Sequence, residues 1–224
     1  MNTRYKKGKF IVFDGSDGSG KQTQVELLTK YLVGQKKKVR SIDFPQYEKN
    51  FHGKILRAVL RGDFGDFINL DPYIASFLYT ADRFESAGNI QAGISNGEIV
   101  LADRFTTANM IHQGGKFKNK LERERYLKWL LGLEYNYLKL PKPDLAFFLK
   151  VPVSVSLKLL EGKKGRDLAE KSILYLKNSL VCAESIAHKY GWVVIDCASR
   201  GAMRSRESIH QEIVKQLIKH RIVE

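Results

Sequence analysis

Along the chain, short apolar runs alternate with longer stretches in which apolar residues recur every three or four positions. The runs Phe10–Phe13, Val39–Phe44, Ile99–Ala102, Leu145–Val151 and Trp192–Ile195 predict five strands, the second stopped by Pro45. The helical period falls between them. It predicts helices over Gly20–Val33, with Val25, Leu28 and Leu32 on one face, and over His52–Leu60. A long helix starts at Asp71-Pro72, where Asp suits the cap and Pro the first turn, and runs to about Ile94. Further helices are predicted over Leu121–Leu138, Val153–Leu160, Leu168–Tyr190 (ended by Gly191) and Ser208–His220.

Strands separated by helices imply a parallel sheet with right-handed crossovers, and continuous apolar strands imply a sheet covered on both faces. The expected architecture is a single α/β domain: a five-stranded parallel sheet flanked by helices on both faces. Ligands of such sheets bind at the carboxyl ends of the strands. Chemistry is therefore expected just after Phe13, Phe44, Ala102 and Val151.

The length of 224 residues and the 43% hydrophobic content suit one domain with a sizeable core. No apolar run approaches a membrane span, and the basic start, Met1–Lys9, precedes only four apolar residues, too few for a signal peptide. The expectation is a soluble, cytoplasmic protein. Cys182 and Cys197 lack metal-ligand spacing and read as buried thiols. The formal charge of +14 favours an anionic partner, nucleotide, nucleic acid or membrane surface. The excess is spread along the chain and no recognised nucleic-acid module is present, so nucleotides rank ahead of nucleic acid.

The first strand runs into Gly15-Ser16-Asp17-Gly18-Ser19-Gly20-Lys21-Gln22-Thr23. Gly15, Gly20 and Lys21 carry the P-loop spacing. Glycines let the backbone wrap an anion, the amides and the helix N-terminus point at phosphates, and Lys21 offers a compact positive charge to the outer ones. Gln22 departs from the pattern, which places a Mg²⁺-binding hydroxyl there. Thr23 is one residue further and rotated by about 100°. Magnesium held largely through waters would accommodate this, with Asp17 and Asp103 the available carboxylates. Asp103 ends the third strand, and Arg104 after it is a planar cation suited to phosphate.

Five segments in order resemble thymidylate kinase: the P-loop, Asp43-Phe44-Pro45-Gln46-Tyr47, Ala81-Asp82-Arg83, Asp103-Arg104-Phe105 and Leu140-Pro141-Lys142-Pro143-Asp144. They span nearly the whole chain. The resemblance implies ATP-dependent phosphorylation of thymidine monophosphate, with Mg²⁺, by a homodimer packed through the helices starting at Pro72 or Leu121; the alternatives are a kinase for another (deoxy)nucleoside monophosphate or a deoxynucleoside, left open by Gln46-Tyr47, and a weakened nucleotide-binding homologue, left open by Gln22. It implies that Phe44 packs on the pyrimidine, Tyr47 contacts the acceptor phosphate and Tyr79 stacks on the base. Arg83 would read the base, Arg104 would grip the acceptor phosphate and Asn109 would meet the thymine edge. His112 and Gln113 would lie near the sugar and base. Core packing is an equal reading for Tyr79, and a satisfied, half-buried imidazole the favoured one for His112. The family's LID falls on Glu161–Asp167. Some members place the transition-state cation at the position of Gly18; with glycine there, Arg166 is expected to supply it, backed by Lys163 and Lys164. Lys21, Arg104, Arg166 and Asp17 form the expected catalytic set. The adenine is expected at the loop Cys197–Gly201.

Overall fold

The computed structural model of the protein describes residues 7–16, 18–66, 69–160 and 173–223. Strands β1 (Lys9–Gly15), β2 (Val39–Asp43), β3 (Ile99–Asp103), β4 (Leu145–Lys150) and β5 (Val193–Asp196) form one parallel sheet in the order β2-β3-β1-β4-β5. Helices α1 (Lys21–Gly34), α2 (Phe51–Arg61), α3 (Pro72–Ser95), α4 (Thr106–His112), α5 (Lys120–Leu131), α6 (Val153–Leu160), α7 (Ile173–Tyr190) and α8 (Arg206–Lys219) surround it.

Successive strand residues point to opposite faces, and β1 shows the consequence. Ile11 and Phe13 join one core with Leu28 and Leu32 of α1 and Ile213 and Leu217 of α8. Phe10 and Val12 join the other with Ile90 and Ile94 of α3 and with Phe105. All four β1 side chains are fully buried; each contributes about 1.5–3 kcal/mol of apolar burial. The central strand is thereby packed on both sides, and its carboxyl end lies between those of β3 and β4.

Polar residues set the helix starts. Asp71 accepts from the amides of Tyr73 (2.8 Å) and Ile74 (3.2 Å). Asn50 caps α2 through Gly53 (2.6 Å), and Ser205 caps α8 through Ser208 (3.1 Å). A side chain on Gly53 would put its Cβ 2.1 Å from the Gln46 carbonyl oxygen, so glycine lets α2 lie against the Phe44–Asn50 loop.

The structure corrects the sequence reading in three places. The helix expected to run evenly over Leu121–Leu138 is regular only to Leu131; Gly132–Tyr137 is a π-helical turn. That wider turn carries Glu134 into the interior, where polar partners hold it. A short helix, α4, occupies a stretch to which no element was assigned; seven residues are too few to display a helical period. The loop after β5 contains a hairpin, β6 (Ala198–Ser199) and β7 (Ala202–Met203). Arg200 (φ 51°) and Gly201 (φ 77°) turn it with positive φ at both centres, the geometry that matches strand twist in a two-residue hairpin.

Candidate active site

The loop after β1 is shaped by close approach. A Cβ on Gly15 would lie 2.5 Å from the Leu149 carbonyl oxygen and 2.8 Å from Ser19 Oγ. Gly20 takes φ 83° and precedes α1 with no side-chain cap, leaving this helix end to an external anion. Lys21 folds back across the loop, and its Nζ donates to the carbonyls of Gly15 and Ser16, each at 3.0 Å. Among the described residues, the hydroxyls of Ser16 and Ser19 are buried without a hydrogen-bond partner. Buried polar atoms are ordinarily paired. Two orphan hydroxyls in an amide-rich loop therefore fit an anion with many acceptor oxygens.

Asp14, the residue before Gly15, is fully buried. Its carboxylate accepts from the Gly15 amide and from Thr107 Oγ1, both at 2.8 Å, tying the loop to α4. Arg104 Nη1 lies 3.8 Å from Asp14 Oδ1 and 2.9 Å from His112 Nε2. Arg104 sits at φ 66°, with its amide donating to the Phe13 carbonyl at 2.8 Å. Left-handed backbone at a non-glycine residue costs about 1–3 kcal/mol, and here it sits where the chain leaves β3 for α4. Asp103 is half-buried. Burial raises its carboxyl above the ordinary value, and the charges of Lys21 and Arg104 oppose that rise.

Across the cleft, the loop after β2 begins with a cis peptide between Phe44 and Pro45. Phe44 is buried against Phe105, their ring centroids 5.5 Å apart. Asp82 on α3 holds this loop, accepting from the Gln46 amide (3.2 Å) and from Asn50 Nδ2 (2.7 Å). Burial pushes its carboxyl up, and those hydrogen bonds pull it down. The neighbouring Arg83 turns to another partner. Its Nε (3.1 Å) and Nη2 donate to the fully buried Glu134, which also accepts from Thr80 Oγ1 (2.7 Å) and Thr106 Oγ1.

Between these walls lies an open cleft of about 740 Å³ that brings together Lys21, Asp103, Arg104, Phe44 and Tyr47. A family model for thymidylate kinase matches residues 13–213.

The chain belongs to the thymidylate kinase family.

The thymidylate kinase of Plasmodium falciparum is 29% identical over 223 residues, covering 99% of this chain and 95% of that protein. That of Prochlorococcus marinus is 30% identical over 224 residues, covering 96% and 94%. A solved thymidylate kinase structure from Candida albicans shares the fold, with TM-score 0.75 and 22% identity over 97% of this chain and 94% of that one. Thymidylate kinases are phosphotransferases, and this chain is one.

Set beside the residues expected of a thymidylate kinase, the cleft unites some and sets others back. Lys21, Phe44, Tyr47, Asp103 and Arg104 line it, as do Gly18, Gly20, Gln22 and Thr23. Gln22 Nε2 donates to Glu26 at 3.0 Å, and both side chains line the cleft. Tyr79 is half-buried against the cluster of Val59 and Ala75. Asn109 is buried, its Nδ2 donating to the Ser76 carbonyl at 3.3 Å and its own carbonyl accepting from Tyr126 at 3.1 Å. Arg83 is buried on Glu134. None of these three lines the cleft. Asp17, Arg166, Lys163 and Lys164 lie outside the described residues. Among the described residues, no group of three or more His, Cys, Asp or Glu could hold a metal ion. Sequence reasoning missed Asp14, Thr107 and Glu134, whose partners lie far along the chain. For Asp14 a usable signal was its place at the end of an otherwise apolar strand.

Proposed function

We propose that this chain binds ATP on the P-loop and thymidine monophosphate in the cleft opposite, and transfers the γ-phosphoryl group from the first to the second. Phosphorylation of thymidine monophosphate is the reaction of its family. The observation that carries the arrangement is the meeting of Lys21 and Arg104 in one cleft with Phe44 and Tyr47. Lys21 exchanges its two carbonyl partners for phosphate oxygens of ATP. Arg104 holds the acceptor phosphate, Tyr47 contacts it, and Phe44 offers a flat apolar face to the pyrimidine. Ser16, Ser19 and the amides from Gly15 to Thr23 bind the β- and γ-phosphates. Asp103 and Asp17 are the carboxylates that would hold Mg²⁺ through its waters; when bound, the ion neutralises charge on the phosphates. An acceptor oxygen attacks in line, and no general base is required. Arg166, with Lys163 and Lys164, supplies positive charge to the transferring group.

Arg83, Asn109 and Tyr79 stand behind the cleft. Their contribution to base recognition runs through the walls they brace. A coupled ADP-release assay over a panel of monophosphates tests the reading. Thymidine monophosphate should give the highest kcat/KM, and a preference for a purine monophosphate would overturn it.

A homodimer is part of this proposal. On α3, Ile74, Phe77 and Phe84 expose 56%, 60% and 52% of their surface on one helical face. Such a stripe suits a second copy of the same helix. Sedimentation at micromolar concentration should show a dimer, and Phe77→Glu with Phe84→Glu should yield a monomer; a monomeric parent ends this part of the proposal. Among the described residues no helix is long and apolar enough to cross a membrane. A cytoplasmic location accords with that and with nucleotide substrates.

A further inference from the structure

We infer that His112 is a positioning residue for the acceptor phosphate: it accepts a hydrogen bond from Arg104 and so fixes the direction of that guanidinium. The inference rests on Arg104 being the group that holds the acceptor phosphate, as proposed above.

A guanidinium on a flexible stem has no preferred direction of its own; its partners must impose one. Among the described residues, Asp14 and His112 do so. Asp14 Oδ1 lies 3.8 Å from Nη1, and His112 Nε2 lies 2.9 Å from the same nitrogen. The carboxylate supplies attraction with little directionality at that distance. The imidazole supplies direction, since a ring nitrogen accepts along one line in the ring plane. Arginine can only donate, so this bond requires the neutral tautomer with Nε2 unprotonated and the proton on Nδ1.

The ring is itself held. His112 is the last residue of α4, a helix tied to β1 by the bond from Thr107 to Asp14. Its imidazole stacks on Tyr175 of α7, centroids 5.9 Å apart and planes within 7°. Asp14, Thr107, His112 and Arg104 thus form one connected set, with both acceptors set on packed elements. Substrate contact by His112 is not needed for this role. A histidine that only filled space would need no nitrogen directed at the guanidinium.

The test separates hydrogen bonding from packing. His112→Phe keeps a ring for Tyr175 and removes the acceptor. His112→Gln loses the ring and keeps a side-chain oxygen that can accept from Arg104. His112→Phe should raise KM for thymidine monophosphate about tenfold, the scale of one hydrogen bond to a charged group, with KM for ATP and the melting temperature little changed. His112→Gln should restore most of the acceptor affinity. If Arg104→Gln raises KM for thymidine monophosphate while His112→Phe leaves it at the parent value, the inference fails alone. If neither change alters it, the assignment of the acceptor phosphate to Arg104 fails as well. A matching rise for His112→Phe and His112→Gln, in step with loss of melting temperature, would reduce His112 to a packing role and also overturn the inference.

Discussion

Replacing Lys21 by alanine should lower turnover by about 10²–10³-fold while the protein stays folded. Removing one preorganised positive or donor group from a charge-developing site has effects of that size. The loss should be steep because Lys21 is buried in the loop and its ammonium has few places to go. Nζ is already within 3.0 Å of the Gly15 and Ser16 carbonyls. From there, exchanging the two carbonyls for phosphate oxygens takes a local movement of one side chain, so little reorganisation is needed. The alanine variant keeps the glycines and the amide ring, so nucleotide binding should weaken less than turnover. Steady-state kcat, with nucleotide affinity measured separately by calorimetry, checks this. Turnover near the parent value would remove Lys21 from the chemistry.

The second large effect is on stability. Glu134→Ala should destabilise the fold by about 3–5 kcal/mol, because it leaves a buried guanidinium without its counter-charge. For a chain of this size that is a fall in melting temperature of about 6–20 °C. Arg83 and Glu134 are both almost fully buried. The hydroxyls of Thr80 and Thr106 lose an acceptor in the same step. Each orphaned hydroxyl costs about 1–3 kcal/mol, although losses within one network do not add simply. Removing both charges should cost less than removing one. Arg83→Met combined with Glu134→Leu is therefore expected to melt above Glu134→Ala alone. Urea denaturation of the parent and the two variants checks the order. A Glu134→Ala protein as stable as the parent would mean that the buried pair is replaced by water.

How much of this was legible in the chain differs from residue to residue. The P-loop was legible because its chemistry is local: a strand, a glycine-rich turn and a lysine within seven positions, Gly15 to Lys21, define an anion cradle without distant partners. The parallel direction of the strands followed from the alternation of strands and helices, and the cleft lies at strand ends as parallel topology requires; the order β2-β3-β1-β4-β5 came from the fold alone. Asp103 and Arg104 were placed correctly at such an end. Arg83 was read as a base-contacting residue, and its burial on Glu134 was not legible. Its partner is 51 positions away, and nothing near Glu134 marks it as an interior residue. The π-helical turn that carries Glu134 inward has no local period to announce it. In α4, seven residues hold Thr107 on Asp14 and His112 on Arg104, and both contacts belong to packing rather than to pattern.

Local order therefore decided the five strands of the parallel sheet and the longer helices, where the nucleotide-binding loop lies, and that the sheet is covered on both faces. Backbone preference and burial act over a few residues, and they leave a periodic trace. The directions of Arg83, Asn109 and Arg104 were decided only when α3, α4 and α5 came together. A buried charge has to find an opposite charge or an acceptor wherever the fold supplies one, and that partner is chosen by contact in space rather than by distance along the chain.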